Sequence, residues 1–413
     1  MKKLCLIIFS IISIFFLTGC YDKLEANEVA YVLAIGIDKS ENNPDNFSIT
    51  FEFVLPMAVE NNSGSDSKAS TYTTVEATSL YSAVNLVNSY ISKEINLSHN
   101  KLVVFSEEVA IDGLSEHTST IAHDRHFRSN MHILISKCKA KDYIEKTTSI
   151  FEKNPAKFYQ SLFETYKYTG FTDNSYLADY IIKSSYTTSQ PVAMLGNISL
   201  STDDTTKEES NVLPNETYKP NNANYLSGKI EKQGGSQTEI LGLAVFRYSR
   251  LVGELTGEET LYYLITTNKF GESNFTIYDP LSNDSIIDFN LSKWKNTESS
   301  VSFIDGTPLI KVKAYINANI LSINLNVDYM NNKNISKLED ELEYIMETGM
   351  KNYLYKTSKV FRSDISGFGQ DAVKNYITWS EWKESNWLDM YQFAYFNVDF
   401  DINIDRTGLV FVD

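Results

Sequence analysis

Residues 29–38 read VAYVLAIGID and decide the expected fold of this 413-residue chain. The run is mostly apolar and closes with Gly36-Ile37-Asp38, which predicts a buried β-strand. Outward from it, residues 47–55 and 71–77 alternate apolar with polar side chains, as strands with one buried face do. Residues 79–91 then place apolar side chains at helical spacing. The folded part of the chain is therefore expected to begin with three strands and a helix.

The alternation of strands with helices continues through the first half of the chain. Further strands are predicted over residues 101–105 and 131–136, and further helices over 114–127, 141–149, 156–166 and 175–183. Strands separated by helices favour an open sheet covered by helices, which is an α/β layer arrangement. A hydrophobic content of 42% and an aromatic content of 13% are sufficient to bury such a core.

The composition changes between residues 201 and 238, which are rich in small polar and acidic residues and nearly free of aliphatic ones. Such a segment buries little surface, so it is interpreted as a linker or a long exposed loop. Beyond it, strands are predicted over 240–246, 250–254, 275–278, 285–289, 300–303, 309–318 and 321–327, with a helix over 258–265. The second half is thus expected to be α+β.

The expected fold class is mixed α/β and α+β, with mixed β-sheets flanked by helices and two to three domains. We expect a signal peptide at 1–19, an N-terminal α/β domain at 20–200, a linker or exposed loop at 201–238, a middle subdomain at 239–290 and a C-terminal α+β subdomain at 291–413.

The N-terminus has the form of an export signal. Lys2 and Lys3 precede an apolar run over residues 4–17, which is too short to span a bilayer. Leu17-Thr18-Gly19-Cys20 then has the form of a lipobox, in which the peptide is cut before the Cys and the thiol is acylated. The alternatives are an ordinary signal peptide and an N-terminal membrane anchor. The lipobox predicts a protein tethered through Cys20 to the outer leaflet of the cytoplasmic membrane.

The net charge limits which partners the chain can bind, and the cysteine content limits its disulfides. The net charge is −16, and removal of Lys2 and Lys3 leaves 35 basic and 53 acidic residues, or about −18. A protein this acidic is repelled by nucleic acid and by anionic lipid headgroups. We therefore expect no nucleic-acid partner, and we expect attachment to the bilayer through the lipid alone. Cys5 leaves with the signal, which leaves Cys20 and Cys138, so we expect no intramolecular disulfide.

Motifs for catalysis or metal binding are scarce. The sequence contains no G-x-S-x-G elbow and no H-E-x-x-H motif. Glu254 and Glu258 lie close together in sequence, which could indicate general acid–base catalysis, but roles at the surface and at the start of a helix are favoured. His123 and His126 lie three residues apart, whereas metal-binding helices usually present His four apart with further ligands. We expect no enzyme activity, no cofactor and no metal.

Aromatic side chains are concentrated near the C-terminus, where they could form a sugar platform, a partner-binding patch or core. The core interpretation is favoured, because large aromatic residues are usually buried. The cluster comprises Trp379, Trp382, Trp387, Tyr391, Phe393, Tyr395 and Phe396.

Several motifs follow one another in a fixed order. They are CYDKLE at 20–25, NEVAYVLAIGID at 27–38, SHNK at 98–101, LGLAVF at 241–246, LVGEL at 251–255, GEET at 257–260 and DISGFG at 364–369. In this order they resemble the C-subunit lipoproteins of spore germinant receptors, the Ger(x)C family. Two departures are Tyr21, where the family typically has Trp, and His123, which replaces the first Arg of an R-D-x-x-x-R pattern ending at Arg128.

The resemblance implies a lipid-anchored protein on the outer face of the spore inner membrane, beside membrane-spanning A and B receptor subunits. It implies a non-enzymatic component required for the nutrient response, and a fold of three α/β-type domains. We take Gly36, Asp38, Gly367, Phe368 and Gly369 as candidate interface residues for those partners. The alternative is that the glycines only permit backbone turns.

Two other classes of function stay open at this stage. A substrate-binding lipoprotein of a transporter would also be acylated and acidic, and would form two similar α/β lobes around a cleft. An envelope hydrolase would need a cleft with perturbed carboxylates, for which Glu254 and Glu258 are the candidates.

Overall fold

A nine-stranded mixed β-sheet forms the larger layer of the protein. The computed structural model describes residues 28–55, 69–123, 127–128, 130–148, 151–199, 220, 222–323 and 327–405. The predicted signal peptide, Cys20, His126 and most of the segment 201–238 lie outside these ranges. The strands are β1 Val29–Lys39, β2 Phe47–Val54, β3 Ser70–Ala77, β4 Glu94–Asn96, β5 Leu102–Ser106, β6 His132–Ser136, β7 Val192–Ile198, β8 Thr238–Arg247 and β9 Arg250–Leu255.

The quoted stretch forms the strand β1 near the middle of this sheet. The strand order is β3-β2-β1-β5-β6-β7-β8-β9, and β4 pairs with the start of β1. Strands β1, β5, β6 and β7 are parallel, and the outer strands are antiparallel. Val32 and Ile35 enter the core on one face, and Leu33 and Ala34 enter the core on the other. Burial on both faces explains why this strand is apolar almost throughout.

Helices cover both faces of the first sheet. They are α1 Leu80–Asn88, α2 Glu107–Asp112, α3 Ser115–Ala122, α4 Ala140–Lys146, α5 Pro155–Phe163, α6 Tyr166–Thr169 and α7 Leu177–Ser184. Residues of α1, α2, α3 and α7 fill the core on one face, and residues of α4 and α5 fill the core on the other. The predicted α/β layer arrangement is therefore confirmed.

A four-stranded sheet forms the second layer, in the order β10-β11-β12-β13. Its strands are β10 Glu272–Asp279, β11 Ser282–Ile304, β12 Thr307–Ser322 and β13 Tyr395–Asp405. The helices of this half are α8 Gly257–Thr266, α9 Asn332–Tyr355, α10 Gly369–Ala372, α11 Trp379–Glu384 and α12 Trp387–Tyr391, with a π-helical turn at Lys356–Phe361 and a 3-10 turn at Val373–Asn375. In α9, Leu338, Leu342, Met346 and Met350 recur every four residues and are buried in one core with the second sheet.

The division expected near residue 290 does not coincide with a structural break. The strands predicted at 285–289 and 300–303 are parts of the single 23-residue strand β11. The polar stretch between them hides the strand from a sequence pattern, and its pairing with β12 is irregular there, between Lys293 and Glu298. The expected border between residues 290 and 291 lies inside this strand.

The segment 201–238 connects two neighbouring strands of one sheet. Strands β7 and β8 pair antiparallel, with Ala193 opposite Ala244, so residues 238–255 complete the first sheet. Val192 and Leu243 also belong to the core that continues onto the second sheet. The expected middle subdomain at 239–290 is thus divided between the two layers, because strand pairing crosses the polar segment.

No helix within the described ranges combines the length and the apolar character needed to cross a bilayer.

Candidate functional site

Gly36 and Asp38 lie at the carboxyl end of β1, against the first turn of α4. Asp38 is buried, and its two carboxylate oxygens accept hydrogen bonds from the backbone N–H groups of Ala140 (2.7 Å) and Lys141 (3.0 Å). Burial raises the pKa of Asp38, while these two hydrogen bonds oppose the rise. Asp38 therefore satisfies N–H groups that the start of a helix leaves without partners.

Gly36 allows α4 to approach the strand closely. A Cβ atom at this position would lie 2.9 Å from Ile144 Cδ1 and 3.3 Å from the carbonyl carbon of Ala140. A larger residue would push the helix away from the sheet, because interiors are close-packed. Gly36 and Asp38 together dock α4 onto the first sheet.

The second candidate stretch, residues 367–369, wraps around the carboxylate of Asp364. Asp364 Oδ1 accepts the backbone N–H groups of Gly367 (2.9 Å) and Phe368 (3.1 Å), and Oδ2 accepts that of Gly369 (2.7 Å). The indole N–H of Trp387 donates to Oδ2 at 2.8 Å. Burial raises the pKa of Asp364 to about 6, and the four donors oppose that rise.

Gly367 has φ of +80°, which only glycine adopts readily, so the turn interpretation of this glycine is supported. Gly369 serves a different purpose, since a Cβ atom there would lie 2.6 Å from the carbonyl oxygen of Thr188. The loop thus depends on one glycine for its turn and on the other for close packing.

This Asp364 loop, residues 363–369, joins the second half of the protein to the first sheet. Ser363 Oγ donates to the carbonyl oxygen of Phe246 in β8 (2.6 Å), and the backbone N–H of Gln190 donates to the carbonyl oxygen of Asp364 (2.8 Å). Nearby, Arg247 forms an ion pair with Asp389 (2.8 Å). The loop is therefore a junction between the two layers, which we call the Asp364 junction.

The five candidate interface residues consequently make contacts within the chain. Gly36, Asp38, Phe368 and Gly369 are buried, and Gly367 is half-buried. In this conformation a partner protein does not reach the buried four. Residues 367–369 do form an interface, but one between two parts of the same chain.

The aromatic cluster near the C-terminus is divided between core and surface. Trp382, Trp387, Tyr391 and Phe396 are buried in the core of the second half. Trp379, Phe393 and Tyr395 are exposed. The core interpretation holds for the four buried residues alone.

The two carboxylates considered for acid–base chemistry, Glu254 and Glu258, interact with different side chains. Glu254 forms an ion pair with Lys137, which also pairs with Glu107 at 3.1 Å. Glu258 contributes to the electrostatic environment of Tyr262. The two glutamates therefore do not form a carboxylate pair with a shared site.

The histidines are also dispersed. The ring of His99 contacts Tyr31, that of His117 contacts Phe47, and that of His132 lies 4.0 Å from the ring of Phe163. In the part of the chain that the structure describes, no group of three or more His, Cys, Asp or Glu side chains could hold a metal ion.

Comparison with known proteins accounts for nearly the whole chain. A family model described as "Spore germination protein N-terminal domain" matches residues 22–199. A second model, "Spore germination B3/ GerAC like, C-terminal", matches residues 241–408. The chain belongs to the Ger(x)C family of spore germination proteins. The resemblance inferred from the sequence motifs is thereby confirmed.

Individual members of the family are distant relatives of the chain. YfkR, a Bacillus subtilis (strain 168) protein named for spore germination, is 21% identical over 410 residues, covering 96% of this chain and 94% of YfkR. Spore germination protein KC of the same organism is 26% identical over 156 residues, covering 36% and 38% of the two chains. The crystal structure of the GerBC protein superposes with a TM-score of 0.53 and 12% identity over 90% of this chain and 96% of GerBC, which shows a shared fold.

Sequence reasoning identified the DISGFG segment but not the role of its first residue. Asp364 was not among the candidates, although an Asp followed by Gly at the third and fifth positions is a local signal for a carboxylate that accepts backbone N–H groups. Its bond to Trp387 joins residues 23 positions apart and depends on the tertiary fold.

Proposed function

We propose that this Ger(x)C protein is a lipid-anchored, non-enzymatic subunit of a nutrient germinant receptor, which acts as a scaffold and coupling component on the outer face of the spore inner membrane. One observation carries the proposal: the match to the N-terminal family model begins at residue 22, two positions after the Cys of the lipobox. The mature protein would then begin at an acylated Cys20, directly before the family's folded part.

The partners proposed are the membrane-spanning A and B subunits of the receptor, and the bilayer itself through the acylated Cys20. A net charge of −16 disfavours binding to an anionic surface without a lipid. A doubly acylated residue holds a protein firmly at a membrane, whereas one acyl chain gives marginal binding.

The Asp364 junction supports a coupling role. It ties the loop 363–369 to β8 of the first sheet and to α12 of the second half through buried hydrogen bonds. A displacement of one layer would therefore be transmitted to the other, since a buried carboxylate with its donors is costly to separate.

The two sheets differ in a way that argues against the transporter alternative. A substrate-binding lipoprotein was expected to have two similar α/β lobes, whereas the first sheet has nine strands with a parallel centre and the second has four strands, of which β10, β11 and β12 are antiparallel.

Deletion of the gene in the spore-forming source, followed by complementation, tests the proposal. We expect that spores lacking the protein lose nutrient-triggered dipicolinate release and that the wild-type gene restores it. The A and B subunits should co-purify with the protein from detergent-solubilised spore membranes. Normal nutrient germination without the protein would contradict the proposal, as would a saturable complex of the isolated body with a transported solute.

A further inference from the structure

An apolar groove lies between the helices α3 and α7. It encloses about 280 Å³, and its walls include Ile121 of α3, Ile181 and Ile182 of α7, and Phe127 and Met131 of the connecting chain. Ile182 is 51% exposed although it is a large aliphatic residue. A concave apolar surface of this kind is a common form of protein-binding site.

Helix α7 carries more apolar surface than its own core requires. Leu177 and Tyr180 face the core of the first sheet, where the Tyr180 ring packs edge-on against Phe246 at 4.9 Å. Ala178 and Ile182 lie four residues apart and line the groove instead. The second apolar face is therefore left without a partner among the described residues.

The groove lies at the edge of the first sheet where the parallel strands begin. Met131 directly precedes β6, and the register places His132 of β6 beside Leu102 of β5, which in turn lies beside Ala34 of β1. Strand β1 begins at Val29, five residues before Ala34. Its first residues therefore extend about 16 Å beyond the level at which β5 and β6 begin. The chain that precedes β1 therefore enters at the same edge as the groove.

A positive charge at the rim of the groove acts on a histidine that packs against the start of β1. Arg128 lines the groove, and the pKa of His99 is lowered first by partial burial and then by the positive charges of Arg128 and Lys101. The His99 ring in turn contacts the Tyr31 ring edge-on at 4.7 Å. Tyr31 is the third residue of β1.

The length of chain before β1 limits the distance between this edge and the membrane. Glu28 follows Cys20 by eight positions, and a fully extended chain over eight positions spans at most about 28 Å. With an acylated Cys20, the start of β1 lies within that distance of the bilayer, and the groove lies at the same edge of the sheet, about 16 Å further along β1.

We propose that the groove between α3 and α7 binds an apolar helical segment of a membrane-spanning receptor subunit at the membrane surface, an inference that rests on the proposed function. A helix fits a concave groove, whereas a bilayer surface is flat and favours protruding side chains. The positive charge of Arg128 at the rim further favours an acidic residue beside the apolar anchors of that segment.

Photo-crosslinking in intact spores tests this docking. A photoreactive p-benzoylphenylalanine replaces Ile182 in the full chain, and the control places it at Ile111. The two isoleucines are 51% and 52% exposed and lie in the last turns of α7 and α2. Because α2 follows the carboxyl end of β5, Ile111 lies at the opposite edge of the sheet.

We expect an adduct with a membrane-spanning receptor subunit, identified by mass spectrometry, from position 182 and not from position 111. Adducts with phospholipid alone, equal yields of the subunit adduct from both positions, or no subunit adduct from position 182 would overturn the proposal.

Substitution with a charge gives an independent readout. Ile182→Glu should abolish or strongly slow nutrient-triggered dipicolinate release and weaken co-purification with the subunit, whereas Ile111→Glu should leave both unchanged. Both variants should keep the Tm of the soluble body within about 2 °C of wild type, since both sites are half-exposed. An unimpaired Ile182→Glu variant would overturn the groove proposal.

The variant Cys20→Ala distinguishes failure of the groove proposal from failure of the proposed function. Normal germination with Ile182→Glu but loss with Cys20→Ala would reject the groove and retain the anchored receptor subunit. Normal germination with Cys20→Ala would reject the proposed function itself.

Discussion

The indole N–H of Trp387 donates a 2.8 Å hydrogen bond to the carboxylate of Asp364, and both side chains are almost completely buried. Three backbone N–H groups from the adjacent loop complete the set of donors around this carboxylate. A buried carboxylate is tolerated when its oxygens accept such hydrogen bonds, so the Asp364 junction depends on this pair.

Replacement of Trp387 by Phe should destabilise the protein more than the same change at Trp382. Both indoles are 1% exposed, but Trp382 donates to the neutral hydroxyl of Thr187 at 3.0 Å. Hydrogen bonds to charged groups contribute about 1.5–3 kcal/mol, against about 0.5–1.5 kcal/mol for neutral ones. We expect Trp387→Phe to lower the free energy of unfolding by about 1–2 kcal/mol more than Trp382→Phe in urea titrations of the body without residues 1–20. Equal losses would show that Asp364 does not need the indole.

Replacement of Glu52 by Gln should stabilise the protein in a pH-dependent way. Glu52 is 2% exposed, accepts a 2.7 Å hydrogen bond from the Tyr159 hydroxyl, and has a pKa raised by burial to about 7. The ordinary pKa of Glu in an unfolded chain is about 4.3. At pH values between these two pKa values, Glu52 keeps its proton in the folded protein but has released it in the unfolded chain. The contribution of Glu52 to the free energy of unfolding therefore falls as pH rises.

Gln is neutral at all these pH values and escapes this loss. We expect the advantage of Glu52→Gln in unfolding free energy to approach about 3 kcal/mol at pH 8 and to be near zero at pH 4.5. Thermal or urea unfolding of both proteins at the two pH values measures the difference. An advantage that does not grow with pH would contradict the raised pKa.

The close approach of Gly36 to Ile144 predicts coupling between the two positions. A Cβ atom on Gly36 would meet Ile144 Cδ1 at 2.9 Å, and Ile144→Val removes that methyl group. We expect Gly36→Ala alone to cost about 1–3 kcal/mol of stability and Ile144→Val alone about 0.5–1.5 kcal/mol. The double variant should lose at least about 0.5 kcal/mol less than the sum of the single losses. Additive losses in a double-mutant cycle would mean that the helix backbone, and not Ile144, limits the space.

Much of the first layer could be predicted from the sequence, because its central strands are buried on both faces. The apolar run that became β1 and the helical spacing that became α1 are local signals of this kind. Pairing across the polar segment 201–238 has no local signal, since β7 meets β8 only in the folded sheet. For that reason a domain border was expected where one sheet continues.

The candidate site was predicted less well, because its residues act through tertiary contacts. The glycines of 367–369 are visible in the sequence, but the carboxylate they surround and its bond to Trp387 are not. The groove was missed for a related reason. Ile181 and Ile182 fit an ordinary buried helix stripe, and only the packing of α7 shows that Ile182 faces outward.

The most direct test of the anchored receptor subunit is the membrane fractionation of spores carrying Cys20→Ala, with Cys138→Ala as the control. Cys138 is the other cysteine expected in the mature chain, and it is half-buried in the first domain. We predict that Cys20→Ala moves the protein out of the membrane fraction and abolishes the nutrient response, while Cys138→Ala changes neither. A Cys20→Ala protein that stays in the membrane fraction and supports normal germination would contradict the account.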